Sequence, residues 1–217
     1  MLLGLNSATL IARLVVLLVS FSVHEFAHAW TATRFGDDTP RMYGRLTLNP
    51  LAHLDPIGSL LLLVAGFGWA KPVPVNPYAV QRHSHAGLMW VSLAGPFSNF
   101  LMAILSAIPF RLGLFSLNQA LSAQAGFLPT IPFLLAEFII INLVLMLFNL
   151  IPLAPLDGEK IADYFFPPPL DRWLEKIRPY GPIILMMIVI GGPLVGFDII
   201  GWIIRPPLMF LLSLLAG

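Results

Sequence analysis

Long stretches without a charged residue dominate this chain. Residues 83–110, 138–156 and 179–197 contain no Asp, Glu, Lys or Arg, and residues 1–23 contain only Arg13. A helix needs about 20 mostly apolar residues to cross the hydrocarbon core of a bilayer. Charged residues make up 11% of the chain, against about 25% in soluble domains. The chain therefore belongs in a lipid bilayer, and its apolar content excludes a disordered protein.

Charge and cysteine content exclude two further classes of protein. The formal net charge is +1, so there is no broad basic field for binding nucleic acid. The chain has no Cys, which excludes a disulfide-stabilised scaffold.

The apolar stretches predict an all-α membrane protein, a polytopic helical bundle of four to six transmembrane segments. Helices are expected at residues 13–33, 85–110, 133–153 and 180–197, with 199–217 as a further candidate span. Residues 56–70 are uncharged but too short to span comfortably, which predicts a re-entrant or interfacial segment after the first helix. Residues 45–48 and 73–75 are predicted to form short extended pieces, and the prolines confine the second to a sheet edge.

The basic residues predict the orientation in the membrane. With the N-terminus outside, nine of the twelve Lys and Arg residues lie on the cytoplasmic side, where such residues concentrate. Those nine are Arg34, Arg41, Arg45, Lys71, Arg82, Lys160, Arg172, Lys176 and Arg178.

An H-E-x-x-H motif lies in the first predicted span, at residues 24–28. His24 and His28 are four residues apart, so their imidazoles lie on one helix face, one turn apart, and can reach one zinc ion. Glu25 lies alongside, where it can accept a proton from zinc-bound water. Ionisable residues inside a span are costly and usually functional. The alternative is a helix end at which His and Glu meet water or headgroups.

A zinc site of this kind needs a third protein ligand, and Asp157 is the candidate. It follows the third predicted helix in the stretch Asn-Leu-Ile-Pro-Leu-Ala-Pro-Leu-Asp-Gly, which begins at Asn149. Pro152 and Pro155 interrupt the helix and Gly158 permits a tight turn, so the carboxylate can turn back into the bundle. The alternative is an ordinary Asp-Gly turn at the membrane surface.

His53 and Asp55 form a second pair of possible ligands, in Ala-His-Leu-Asp-Pro. A polar turn before the re-entrant segment explains them better than a second metal site does.

These motifs resemble those of the site-2 proteases, the intramembrane zinc metalloproteases. The resemblance rests on His-Glu-Phe-Ala-His in the first span and Leu-Asp-Gly after a later one. The stretches Ala-Lys-Pro-Val-Pro-Val-Asn-Pro from Ala70 and Ala-Gly-Pro-Phe-Ser-Asn from Ala94 also match. Together the matches cover residues 24–158.

The resemblance implies that His24, His28 and Asp157 bind one zinc ion and that Glu25 is the general base. It implies a three-helix core whose metal is reached from the cytosolic side. It also suggests that Asn99 and Asn149 lie near the substrate or the oxyanion. Hydrogen bonding between helices is the alternative role for these two residues.

The function expected from this resemblance is hydrolysis of a peptide bond in or near a transmembrane segment of a membrane protein substrate. A substrate helix must unwind before attack, and the extended pieces at 45–48 and 73–75 are candidates to receive it by strand addition. The alternative function is a non-hydrolytic membrane protein that binds or transports metal. Glu25 separates the two, because metal binding does not need it.

A single membrane-embedded peptidase domain is expected over residues 1–217, with a catalytic core at about 10–160 and C-terminal helices at about 179–217. It looks like the compact form of the family, without a PDZ domain or a CBS pair. The expected partners are the lipid bilayer and a transmembrane substrate, with no nucleic acid. The expected location is the plasma membrane, with the active site open to the cytoplasm.

Overall fold

The computed structural model describes residues 6–58, 61, 68–122 and 126–217. Within these ranges the regular secondary structure is helical. The one β-type pairing there is an isolated antiparallel bridge between Leu54 and Ala70. Five stretches are long and apolar enough to cross a membrane, namely Ser7–Arg34, Gly87–Arg111, Ile131–Asn149, Leu170–Leu194 and Ile199–Ala216. The expectation of a polytopic helical membrane protein is confirmed.

The first half of the chain contains two long helices and shorter ones between them. In chain order these are α1 (Ser7–Arg34), α2 (Thr39–Met42), a 3-10 turn (Pro50–Ala52), α3 (Pro77–His83) and α4 (Gly87–Arg111).

The second half begins with a short helix and a long one and ends in a series of short helices before the last span. The helices are α5 (Leu117–Ala120), α6 (Ile131–Asn149), α7 (Asp157–Phe165), α8 (Leu170–Ile177), α9 (Gly181–Met186), α10 (Gly192–Leu194) and α11 (Ile199–Ala216). Arg178–Tyr180 forms a 3-10 turn between α8 and α9, and Met187–Gly191 forms a π-helical turn between α9 and α10.

Helix α1 begins six residues before the predicted start at residue 13. Asn6 caps it by accepting a hydrogen bond from the backbone N–H of Thr9, at 2.8 Å. Arg13 therefore lies within the helix, where its guanidinium pairs with Glu137 of α6 at 3.2 Å. A paired charge can lie inside a bundle, so Arg13 does not mark the end of the span.

Helix α6 ends at Asn149, four residues before the predicted end at residue 153. Pro152 has no N–H to continue the helix, and residues 150–156 form bends and turns instead. The predicted fourth helix at 180–197 is also shifted: the helical run begins at Leu170 and ends at Leu194.

The predicted extended pieces are only partly right. Residues 45–48 form bends and loop rather than a strand, and residues 71–76 are neither helical nor paired in a ladder. Most of the predicted re-entrant segment at 56–70 lies outside the described residues.

Helix α4 is the centre of the bundle and packs against α1, α6 and α7. An apolar cluster joins α4 to α6, and α11 covers it from outside with Leu208, Leu211, Leu212, Leu215 and Ala216. Arg111 at the end of α4 donates from Nη1 to the backbone oxygen of Gly217 at 2.9 Å. Helix α11 therefore runs in the same direction as α4.

Candidate metal centre

His24 and His28 present their imidazoles from one face of α1. Both side chains are buried, and their Nε2 atoms lie 3.0 Å apart. One helical turn separates residues four apart in sequence, so the spacing of the motif accounts for this juxtaposition.

The turn after α6 brings Asp157 to the same point. Asp157 is the first residue of α7, and its Oδ2 lies 3.2 Å from Nε2 of His24 and 3.2 Å from Nε2 of His28. The three side chains form one group able to hold a metal ion.

Gly158 allows this turn by close approach rather than by a left-handed backbone. Its φ is not positive, but a Cβ built there would lie 2.4 Å from the carbonyl carbon and oxygen of Leu150. The backbone of α7 therefore packs directly onto the end of α6. The sequence predicted only that Gly158 permits a tight turn, and the structure adds that the absence of a side chain is needed for the close approach to Leu150.

The outer ring nitrogens of both histidines are held by hydrogen bonds. Nδ1 of His24 lies 2.6 Å from Oδ1 of Asn99, and Nδ1 of His28 lies 2.7 Å from the carbonyl oxygen of Val91. Because both partners are acceptors, each Nδ1 carries the proton in the neutral ring, and each Nε2 presents a lone pair. The imidazoles are thus fixed in the tautomer that ligates a metal.

The donor set fits zinc. Two lone pairs and a carboxylate oxygen converge at 3.0 to 3.2 Å without a proton to share, and Asp157 Oδ2 is buried with no hydrogen-bond partner. Ligands in a tetrahedron with zinc bonds of about 2.0 Å lie roughly 3.3 Å apart. A cation among the three atoms satisfies all of them.

Gly95 of α4 leaves the space for this arrangement. A Cβ at this position would lie 2.4 Å from Nε2 of His28 and 2.6 Å from Nε2 of His24. Helix α4 can therefore approach the imidazoles only because this residue has no side chain.

The side-chain amide nitrogen of Asn99 continues the hydrogen-bond network into the bundle. Its Nδ2 donates to Oδ1 of Asn142 at 2.8 Å, and Asn142 in turn donates to the carbonyl oxygen of Phe138 at 2.9 Å. Asn99 and Asn142 are fully buried. The chain of hydrogen bonds links the imidazole of His24 on α1 to α4 and α6.

Glu25 is buried beside the histidines. Its Oε2 accepts a hydrogen bond from the backbone N–H of Val73 at 3.2 Å. The general base predicted from the motif is therefore held by a loop that the motif does not include.

The remaining predicted site residues do not belong to the group of possible metal ligands. Asn149 donates to the carbonyl oxygen of Leu145 in its own helix at 2.9 Å. His53 bonds the carbonyl oxygen of Thr47 through Nε2, and Asp55 accepts from the backbone N–H of Gly58. The structure gives His53 and Asp55 local partners and does not include them in the metal group.

Sequence reasoning missed Asn142 and the contact of Val73 with Glu25. A polar residue in the middle of an apolar span was the available signal for Asn142, since such residues usually face the bundle interior. No local pattern indicates the Val73 contact, because its two residues are 48 positions apart.

A buried H-E-x-x-H helix and an aspartate from a second element, both in a bundle of membrane-spanning helices, define an intramembrane metalloprotease. Comparison with known proteins identifies the family. The model of peptidase family M50 matches residues 12–189, which is most of the chain, and the chain belongs to this family, that of the site-2 proteases.

Three similar proteins are named as putative zinc metalloproteases. The chain is 43% identical over 176 residues to "Putative zinc metalloprotease YwhC" of Bacillus subtilis, covering 81% of this chain and 78% of that protein. It is 30% identical over 191 residues to "Putative zinc metalloprotease Rip2" of Mycobacterium tuberculosis strain H37Rv, covering 86% and 70%. The Rip2 of Mycolicibacterium smegmatis is 32% identical over 196 residues, covering 85% and 70%. No solved structure matches the chain.

Proposed function

We propose that this chain holds one zinc ion through Nε2 of His24, Nε2 of His28 and a carboxylate oxygen of Asp157, with Glu25 as general base. We propose that it hydrolyses a peptide bond in or near a transmembrane segment of a membrane protein. The observation that carries this proposal is the position of Asp157 Oδ2, 3.2 Å from both Nε2 atoms.

The chain's own residues supply positioning and proton transfer. When bound, zinc supplies a Lewis acid that polarises a carbonyl and makes a bound water more acidic. Glu25 accepts the proton of the attacking water at a carboxylate oxygen and then delivers it to the leaving amine. With His24, His28 and Asp157 as its protein ligands, the bound ion would remain open to water or substrate.

Asn99 acts as a positioning residue in this proposal rather than as an oxyanion donor. Its oxygen faces Nδ1 of His24 and its nitrogen donates to Asn142, so both ends of the amide are engaged. Asn149 is the last residue of α6 and is only partly buried. This position, close in sequence to the turn that carries Asp157, supports a role for Asn149 near the substrate.

We propose that the site opens to the cytoplasm and that the membrane is the plasma membrane. The distribution of Lys and Arg supports this orientation. His24 precedes Arg34 by ten residues, about 15 Å along a helix, and this distance supports a metal position below the headgroups on the basic side.

Cleavage of a model single-span substrate in proteoliposomes tests the proposal. Glu25→Gln is expected to keep bound zinc and to abolish cleavage, because the amide cannot accept the proton. Glu175→Gln, at an exposed site on α8, is the matched control and is expected to cleave normally. Cleavage by Glu25→Gln at the wild-type rate would overturn the proposal, and zinc flux into sealed vesicles would indicate a transporter instead.

A further inference from the structure

Residues 71–76, Lys-Pro-Val-Pro-Val-Asn, cross beside the metal centre without forming a helix or a strand. We call this segment the proline strap. Pro72 and Pro74 restrict the backbone and have no N–H to donate. Only Lys71, Val73, Val75 and Asn76 therefore carry a backbone N–H in the strap.

A buried arginine fixes the first end of the strap. The N–H of Lys71 donates to the carbonyl oxygen of His53 at 2.8 Å. The carbonyl oxygen of Lys71 accepts from Nη1 of Arg45 at 3.3 Å. The same Nη1 also bonds the carbonyl oxygen of Ala52. Arg45 is 5% exposed, and a buried charge is costly unless it is well bonded. The guanidinium thus cross-links the strap to the loop at 45–53.

A buried aspartate fixes the other end. Oδ2 of Asp37 accepts from the N–H of Asn76 at 2.7 Å, and Oδ1 accepts from the N–H of Thr39 at 2.9 Å. Asp37 is 1% exposed. The Asn76 side chain then caps α3 by accepting from the N–H of Tyr78 at 3.1 Å. Both ends of the strap are therefore held by side chains outside it.

Between these anchors, the N–H of Val73 donates to Oε2 of Glu25 at 3.2 Å. We infer that the proline strap is a positioning element for the general base, in which the N–H of Val73 holds one oxygen of Glu25 and leaves the other to receive the proton. This inference rests on the proposed role of Glu25. A carboxylate on a side chain with three rotatable bonds needs such a partner, because small misplacements of a catalytic group are costly in rate.

The same contacts limit what the strap offers to a substrate. Three of its four N–H groups, those of Lys71, Val73 and Asn76, are bonded within the protein. An added strand can pair mainly with its carbonyl groups, so the strap is a poor template for the strand addition expected from the sequence.

Hydrogen–deuterium exchange in the strap tests the Val73 bond without using activity. The four amides give a simple signal, in which one amide is a quarter of the total. Glu25→Ala removes the acceptor of the Val73 N–H. We therefore expect the strap to exchange one more amide at early times in this variant than in the wild type. In Glu25→Gln an acceptor oxygen remains, so the strap is expected to exchange as in the wild type.

Turnover of the transmembrane substrate tests the consequence for catalysis. Val73→Pro removes the N–H in a segment that already contains two prolines, whereas Val73→Ala shortens the side chain and keeps the N–H. We expect kcat of Val73→Pro to be about tenfold or more below that of Val73→Ala. KM and bound zinc are expected to agree within about twofold between the two variants, since neither substrate binding nor ligand geometry is changed.

The outcomes separate this inference from the proposed function. Cleavage by Glu25→Gln in the same assay would overturn both. If Glu25→Gln is inactive, equal kcat for the two Val73 variants overturns the strap inference alone. Equal exchange in Glu25→Ala and Glu25→Gln also overturns it, and this measurement decides the question even if Val73→Pro does not fold.

Discussion

Oδ1 of Asn99 lies 2.6 Å from Nδ1 of His24, and both side chains are buried. The contact joins α4 to α1 and fixes which ring nitrogen of His24 carries the proton. A partner of this kind orients the ligand and raises its basicity.

Removal of this partner is expected to weaken zinc binding. Asn99→Ala should lower zinc affinity about 10- to 100-fold, the usual effect of losing the hydrogen-bond partner of a ligating histidine. Competition with a chelator measures it. Asn149→Ala is the control, because that side chain donates to the carbonyl oxygen of Leu145 within its own helix. Equal zinc affinity in the two variants would contradict the positioning role of Asn99.

The space at Gly95 gives a second prediction. In Gly95→Ala the new Cβ would lie 2.4 to 2.6 Å from the Nε2 atoms of both histidines, so the helices must separate or the rings must rotate. Bound zinc per chain is expected to fall well below the wild-type value. Gly191→Ala is the control, since a Cβ there meets nothing within 4 Å. Full zinc occupancy in Gly95→Ala would show that α4 does not pack so closely.

The pair of Arg13 and Glu137 is expected to stabilise the bundle without affecting the metal. Arg13→Gln leaves the buried Glu137 without its cation, and we expect a loss of about 2 kcal/mol, because Arg13 is partly exposed and removing a partner from a fully buried pair costs more. The thermal unfolding midpoint in detergent should fall, and adding Glu137→Gln should restore most of it. A double variant no more stable than Arg13→Gln would contradict this account.

The direction of α11 predicts the side on which residue 217 lies. Arg111 and Gly217 are hydrogen-bonded, so we expect both to lie at the same face of the membrane. If they do, Leu170–Leu194 is expected to begin and end at the opposite face, where α6 ends and α11 begins. The chain has no Cys, so single cysteines can be introduced cleanly. We expect Leu114→Cys and Gly217→Cys to react with an impermeant maleimide on intact cells, and Tyr78→Cys only after permeabilisation. If position 217 instead reacts like position 78, Leu170–Leu194 crosses the membrane.

The spans were predictable because the hydrocarbon core of a bilayer excludes unpaired charges. A long uncharged stretch is therefore most simply explained as a membrane-spanning helix. Their ends were less predictable. Arg13 was treated as the limit of α1, but its charge is compensated by Glu137, 124 positions away. Proline stopped α6 earlier than its apolar composition suggested.

The candidate metal centre also has a part that the sequence predicted and a part that it did not. The spacing within residues 24–28 determines that two imidazoles share a helix face, so local geometry is sufficient for His24 and His28. Asp157 was found through a second motif, because no local rule brings two distant segments together. The space at Gly95 and the contact of Val73 with Glu25 depend on how helices and loops pack, and no spacing rule specifies them. Asn142 had a signal, a polar residue within an apolar span, but that signal does not name its partner Asn99.

The most direct test of the account is zinc analysis of the purified Asp157→Ala protein beside the wild type and Glu25→Gln. We expect about one zinc per chain in the wild type and in Glu25→Gln, since Glu25 is not a ligand in the proposed site. Asp157→Ala should retain much less, because two imidazoles alone hold zinc weakly. Full occupancy in Asp157→Ala would remove Asp157 from the site and contradict the convergence on which the proposed function depends.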